Sequence, residues 1–294
     1  MKTNTKKSAK KYSYFSKLAG AFAIAAALMG GVVSAGGYVT IGTDPTAEYE
    51  DFHSAWNIGG NSATYTLHGG EYVASGSALT PGYADMNMTI QSDSGTFRSI
   101  DMATANRFIQ SNENVKLTLD NIKFIYGKTT EGSGGAIFAG DVDSGDGGLI
   151  DISGTSVFSK NAAWGAGGAI YAETINISGA STFSDNSAEG SGGAIHAGVL
   201  TLSGNNTFTG NTAKNSNGGA IYANEVIFNV GNYTFTGNTA NGNPGLGSPG
   251  QGGAICAAGV TFQGDGAPMS AKLSGNTMTT SAGSVRNDIY TYGS

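Results

Sequence analysis

Three aspartates, Asp141, Asp143 and Asp146, fall within the glycine-rich stretch Asp-Val-Asp-Ser-Gly-Asp-Gly-Gly. Clustered carboxylates on a short turn suit calcium, which takes several oxygen ligands from one loop. The spacing is one residue off the Asp-x-Asp-x-Asp-Gly pattern, and the twelfth position holds Ile152 where such a loop needs glutamate. A solvated acidic loop is the plainer reading. Nothing else assembles as easily: His53, His68 and His196 are far apart, and the acids Glu173, Asp185, Glu189 and Glu225 share no common offset. Lys160, Lys214 and Lys272 all stand beside turns. A polysaccharide lyase would need a base next to a calcium–carboxylate cluster, and a glycoside hydrolase would need paired carboxylates at a set separation. The single thiol, Cys256, has no cationic neighbour in sequence to activate it. No cofactor motif is present. The expectation is that this chain performs no catalysis, with a carbohydrate-active enzyme as the alternative.

What the chain does have is a recurring aromatic position. Gly-Gly-Ala-Ile occurs five times, and the residue that follows is in turn Phe138, Tyr171, His196, Tyr222 and Cys256. If each Ile points inward, period-two alternation points its successor outward. The first four then form a surface column that could meet a host protein or glycan, or that only stacks on itself.

The elements that would position this column are legible from the repeats. The glycine pairs are Gly134/Gly135, Gly167/Gly168, Gly192/Gly193, Gly218/Gly219 and Gly252/Gly253. Between them falls Phe-x-x-Asn, at Phe158/Asn161, Phe183/Asn186, Phe208/Asn211 and Phe235/Asn238, with a weakened copy ending at Asn276. From Trp164 to Asn211 two copies match without a gap at a spacing of 25 residues. Departures from that period sit in turns, at 141–148, 241–251 and 265–269. Insertions that spare the apolar runs are what loops leaving a stacked scaffold look like. The apolar segments alternate with period two and show no helical spacing, so each unit reads as three short strands and three corners.

One such unit cannot fold alone. Ordering 25 residues costs about 25–50 kcal/mol of backbone entropy, whereas five buried side chains return roughly 10 kcal/mol. Stacked coils solve the problem, because every strand then bonds the coil above and below. The predicted fold class is all-β, a single right-handed parallel β-helix. In it the paired glycines are expected to permit positive φ and close backbone approach at a corner, where a Cβ would collide with the next coil. Phe fills the bore, and each Asn bonds the Asn of its neighbours.

The first 35 residues differ. Six lysines precede an apolar run from Leu18 to Val33, and Val33-Ser34-Ala35 supplies small residues for cleavage, so 1–35 reads as an export signal, with an uncleaved anchor as the alternative. Its removal leaves 9 basic against 21 acidic residues, a net charge of −12, which speaks against nucleic acid as a partner. One cysteine forms no internal disulfide, and export without bridges suits a bacterial envelope. Residues 36–130 read as a cap, with a short helix over 44–60, followed by irregular first coils; 131–294 are the regular coils of the same domain.

The alternating Gly-Gly-Ala-Ile and Phe-x-x-Asn copies, across about 108–291, resemble the repeats of the polymorphic outer membrane proteins, a chlamydial-type autotransporter family. The resemblance implies a right-handed β-helix passenger, displayed at the outer membrane or secreted, that acts in adhesion. It also implies a C-terminal translocation barrel, for which the residues up to Ser294 leave no room. A passenger held or released by other means, and a fragment, both fit. A purely structural surface spacer is a third reading of function.

Overall fold

The computed structural model describes residues 37–42, 62–68, 71–73, 78–80, 86–93, 95, 97–102, 106–111, 114–142, 147–243, 248–264, 268–280 and 283–292. The export signal, the capping helix over 44–60, and Asp143 and Asp146 lie outside them. The described residues contain strands and no helix.

The chain is a parallel β-helix, and strand register proves it rung by rung. One apolar column runs Ile109, Ile137, Ile170, Ile195, Ile221, Ile255, Ile289, each paired with the next. A second runs Val39, Tyr65, Ile90, Leu119, Ile152, Ile177, Leu202, Phe228, Phe262. A third runs Tyr72, Ile100, Phe124, Phe158, Phe183, Phe208, Phe235, Leu273. The second column has nine rungs, which at the usual inter-strand spacing makes a rod about 40 Å long. From Tyr65 to Phe228, Ile100 to Phe235 and Ile109 to Ile255 the members of the three columns are buried in one continuous core, whereas Phe262 and Ile289 at the last rungs are exposed. The loops at 141–148, 241–251 and 265–269 interrupt none of these pairings.

The coil differs from three separate strands in two respects. The Gly-Gly-Ala-Ile strand and the alternating pair are one strand in Ile170–Ile177, and the Phe strand joins them in Ile195–Thr209 and Ile221–Thr236. Two corners are therefore bends in a continuous strand, which stacked coils allow because they keep their hydrogen bonds through the bend; an irregularity at Leu202/Gly204 absorbs one extra residue in the next coil. The second difference is a short strand after each Asn, as in Ser187–Ala188 and Thr212–Ala213. These form a narrow second sheet whose alanines, Ala163, Ala188, Ala213 and Ala240, are buried.

The glycine pairs divide the two features expected of them, positive φ and close backbone approach, between their members. Only the first of each pair takes positive φ: Gly134, Gly167, Gly192, Gly218 and Gly252 have φ between +63° and +70° and turn the left-handed corner. The second members, Gly135, Gly168, Gly193, Gly219 and Gly253, are not in that region, and what requires glycine there is space alone. A Cβ on Gly135 would lie 2.2 Å from the carbonyl oxygen of Gly168, and one on Gly168 would lie 2.0 Å from that of Gly193. Gly253 ends this series. No further Gly-Gly pair follows it, so a Cβ there would instead meet Asn287 O and Thr277 N, each at 2.5 Å. The reason is geometric: at this corner successive coils touch backbone to backbone.

At the C-terminal end, Thr277–Thr280 pairs antiparallel with Gly283–Arg286. This hairpin folds over the end of the narrow sheet and occupies an edge that would otherwise be open to another strand.

Candidate functional site

Side-chain columns on this rod inherit its repeat, so rings at one register position must stack. Phe138 and Tyr171 lie 5.4 Å apart between ring centroids, Tyr171 and His196 4.9 Å, and His196 and Tyr222 4.8 Å, all close to parallel. The column is half-buried and lies on the outer side of the strands whose isoleucines fill the bore. Its ring faces are taken up by one another, so outward it presents ring edges and the polar tips of Tyr171, His196 and Tyr222. Each stacked pair contributes about 0.5–1.5 kcal/mol.

Both ends of this ladder are closed by residues that sequence reasoning missed. At one end the Arg107 guanidinium sits 5.5 Å from the centre of the Phe138 ring. At the other, Tyr292 stacks on Tyr222 at 5.6 Å and bonds the carbonyl of Ala223. Cys256, in register with Tyr222, keeps the column's position but is fully buried rather than exposed. Its side chain is too small to continue the stack, and Tyr292 from the following turn fills the place. A tyrosine two positions beyond the expected register carries no repeat signal, and Arg107 lies in an irregular early coil.

Burial pushes the Cys256 thiol up to about 12. In the unfolded chain it ionises near 9, so between those values the unfolded state releases a proton that the folded state keeps. Stability is untouched below about pH 9 and falls as pH rises through that window. A thiol reagent at pH 8 is expected to leave the native protein unlabelled and to label one equivalent in denaturant; comparable rates in both states would contradict this burial.

The other candidate groups stay apart. Glu189 is ion-paired with Lys214 at 2.7 Å, Glu225 meets Thr261, and Lys160 lies over the Tyr126 ring. Asp141 accepts a long 3.5 Å contact from the Tyr171 hydroxyl. Among the described residues, no three His, Cys, Asp or Glu side chains gather as metal ligands.

The residues after each Phe form a polar ladder inside the rod. Asn161, Asn186, Asn211, Asn238 and Asn276 are fully buried. Each side-chain amide donates to the oxygen of the next, at 2.9, 3.0, 2.9 and 2.9 Å. Each also donates its second proton to a phenylalanine carbonyl, as Asn211 does to Phe183. This stack of identical coils, with its Gly-Gly corner, its inward Ile and Phe and its Asn ladder, is what a family comparison reads.

Three segments of these coils match the Chlamydia polymorphic membrane protein repeat. The matches cover residues 180–198, 207–224 and 232–258, each containing one whole Phe-x-x-Asn and the Gly-Gly-Ala-Ile that follows it. No curated protein and no solved structure matches the chain. Within the repeat, the invariant parts in these coils are corner glycines and core residues, whereas the ladder position varies from Phe to Tyr to His to Cys. The repeat therefore specifies the rod and leaves its outer face to vary.

Proposed function

We propose that this chain is an exported passenger of the bacterial surface that works by adhesion, holding a host protein or glycan against the aromatic face of a rigid rod. The observation that carries this reading is the ladder Phe138–Tyr171–His196–Tyr222, fixed at the rod's own repeat and closed at both ends. Ring edges with polar tips, preorganised by stacking, lose little side-chain entropy on binding. The likeness to the polymorphic membrane protein repeat supports export and surface display; a long side wall on which no acids converge among the described residues favours binding over catalysis.

The test separates contact from stacking. Tyr171→Phe with Tyr222→Phe keeps the stack and removes two hydroxyls, while Tyr171→Ser with Tyr222→Ser removes both. Adhesion to host cells or a glycan array is expected to fall about ten-fold with the phenylalanine pair and to vanish with the serine pair, at unchanged far-ultraviolet circular dichroism. Full adhesion by a folded serine pair would show that the rings serve only the rod. Incubation with polygalacturonate, with and without calcium, is expected to release no unsaturated or reducing ends.

A further inference from the structure

We propose that the cleft closed by Arg107 at the N-terminal end of the aromatic ladder is a binding site for an acidic oligosaccharide, with Arg107 and Lys128 holding its anionic group. The cleft has a volume of about 370 Å³ and is lined by Asn106, Arg107, Gln110, Lys128, Thr129 and Glu131, with Thr130 at its edge. It gathers two cations against one carboxylate, Glu131, on an acidic molecule. Among the described residues neither Arg107 nor Lys128 forms an ion pair, whereas Lys116, Lys214, Arg98 and Arg286 all do.

Arg107 is the decisive residue. Only 7% of it is exposed, yet it forms no ion pair among the described residues. Its Nη2 donates to Thr129 Oγ1 and to the Glu131 carbonyl, both at 2.7 Å, and its flat face lies over Phe138. Its Nε, also buried, has no hydrogen-bond partner among the described residues. A buried charged donor left unmade costs free energy, and an oxyanion offers the acceptors that a guanidinium fork is shaped to meet. Burial lowers the Arg107 pKa; a bound anion would act in the opposite direction.

The remaining lining suits a sugar more than a bare ion. Asn106, Gln110, Thr129 and Thr130 supply neutral donors and acceptors around the two cations, the mix that hydroxyls need. One aromatic side chain stands open beside them: strand register pairs Ala163 with Thr129, which places the next residue, Trp164, alongside Thr130. Trp164 is 66% exposed, the most exposed large apolar side chain among the described residues. An exposed indole next to a polar, cationic cleft provides an apolar surface for a pyranose ring while the acid group reaches Arg107. The site is independent of the adhesion reading, since it is defined by binding to the purified chain.

Calorimetry and tryptophan fluorescence on the full chain at low salt test it, with oligogalacturonate as the carboxylate probe, a heparin oligosaccharide as the sulfate probe, a cello-oligosaccharide as the neutral probe, and inorganic phosphate as the bare ion. One or both acidic oligosaccharides are expected to bind with quenching of indole emission, and the neutral one not to bind. Arg107→Gln is expected to weaken binding about ten- to hundred-fold. Lys128→Ala, at an exposed position where folding is not at stake, is expected to weaken it several-fold, Trp164→Ala likewise, and Glu131→Gln to strengthen it. Which acidic probe binds tells carboxylate from sulfate recognition. No binding of either acidic probe, phosphate binding as well as the sugars, neutral sugar binding as well as acidic, or affinity unchanged by both Arg107→Gln and Lys128→Ala would each overturn the proposal.

Discussion

Alanine at Gly168 is expected to abolish cooperative folding of the rod, or to lower its stability by about 4 kcal/mol or more. One added methyl group has that effect because it has nowhere to go. The Cβ would stand 2.0 Å from Gly193 O and 2.6 Å from Ser187 O, both backbone atoms of the next coil. Relieving the overlap means parting two coils whose strands share a continuous ladder of hydrogen bonds from Ile170 to Ile177. The same collision recurs at Gly193 and Gly219, each facing the corresponding glycine oxygen of the coil beyond. Gly237 supplies the comparison. It has φ +63° but open space where a Cβ would be, so Gly237→Ala is expected to cost only the left-handed backbone penalty of about 1–2 kcal/mol. Thermal unfolding followed by circular dichroism reads both; equal melting temperatures for the two variants would show that coil spacing tolerates the methyl.

Asn211→Ala is expected to destabilise the protein by about 3–5 kcal/mol. Asn211 Oδ1 accepts from both the backbone N–H and the side chain of Asn186, and its Nδ2 donates to Phe183 O and Asn238 Oδ1. Truncation strands the Asn186 donors in a site with no access to water and also leaves a cavity. Aspartate is no rescue there, since it cannot donate to Asn238 Oδ1 or Phe183 O and would bring a charge into the bore. A control lies on the surface. Asn232 donates to Asn205 at 2.8 Å and accepts from Ser270, but both asparagines are exposed, so Asn232→Ala is expected to change stability by no more than about 0.5 kcal/mol. Urea midpoints for the two variants decide it; a midpoint for Asn211→Ala within error of the native protein would mean that the inner amides hold nothing together.

The sequence made the columns legible because stacking imposes one residue type on every rung. Ile170, Ile195 and Ile221 are the same residue at nearly the same interval for the same physical reason, and the register follows from them. The Gly-Gly pairs were legible as corners but not in their division of labour, since a glycine demanded by φ and one demanded by space, such as Gly134 and Gly135, look alike in sequence. What escaped reading altogether was whatever occurs once. The two-residue strand Ser187–Ala188 is too short for period-two alternation to reveal, although an alanine two residues after each Asn, as at Ala163 and Ala188, is its trace. Tyr292 takes over beside Tyr222 from a position that no repeat marks. Arg107 comes from the early coils, where Arg98–Asp101 also went unnoticed as a strand because its apolar content is a single Ile100. The outward column was readable in its direction but not in its packing: that the rings would spend their faces on one another follows from coil spacing only once the coils are known to be in register.

The internal amides all point the same way, each donating toward the C-terminal side, and the series does not end on another amide. Asn276 donates at 2.9 Å to the carboxylate of Asp288, which Arg286 also grips. A carboxylate accepts but cannot donate, so the series of amide donors closes there on an acceptor of the same chain. The run of buried amides is thereby capped from within the chain, by a carboxylate whose second oxygen is held by the Arg286 guanidinium.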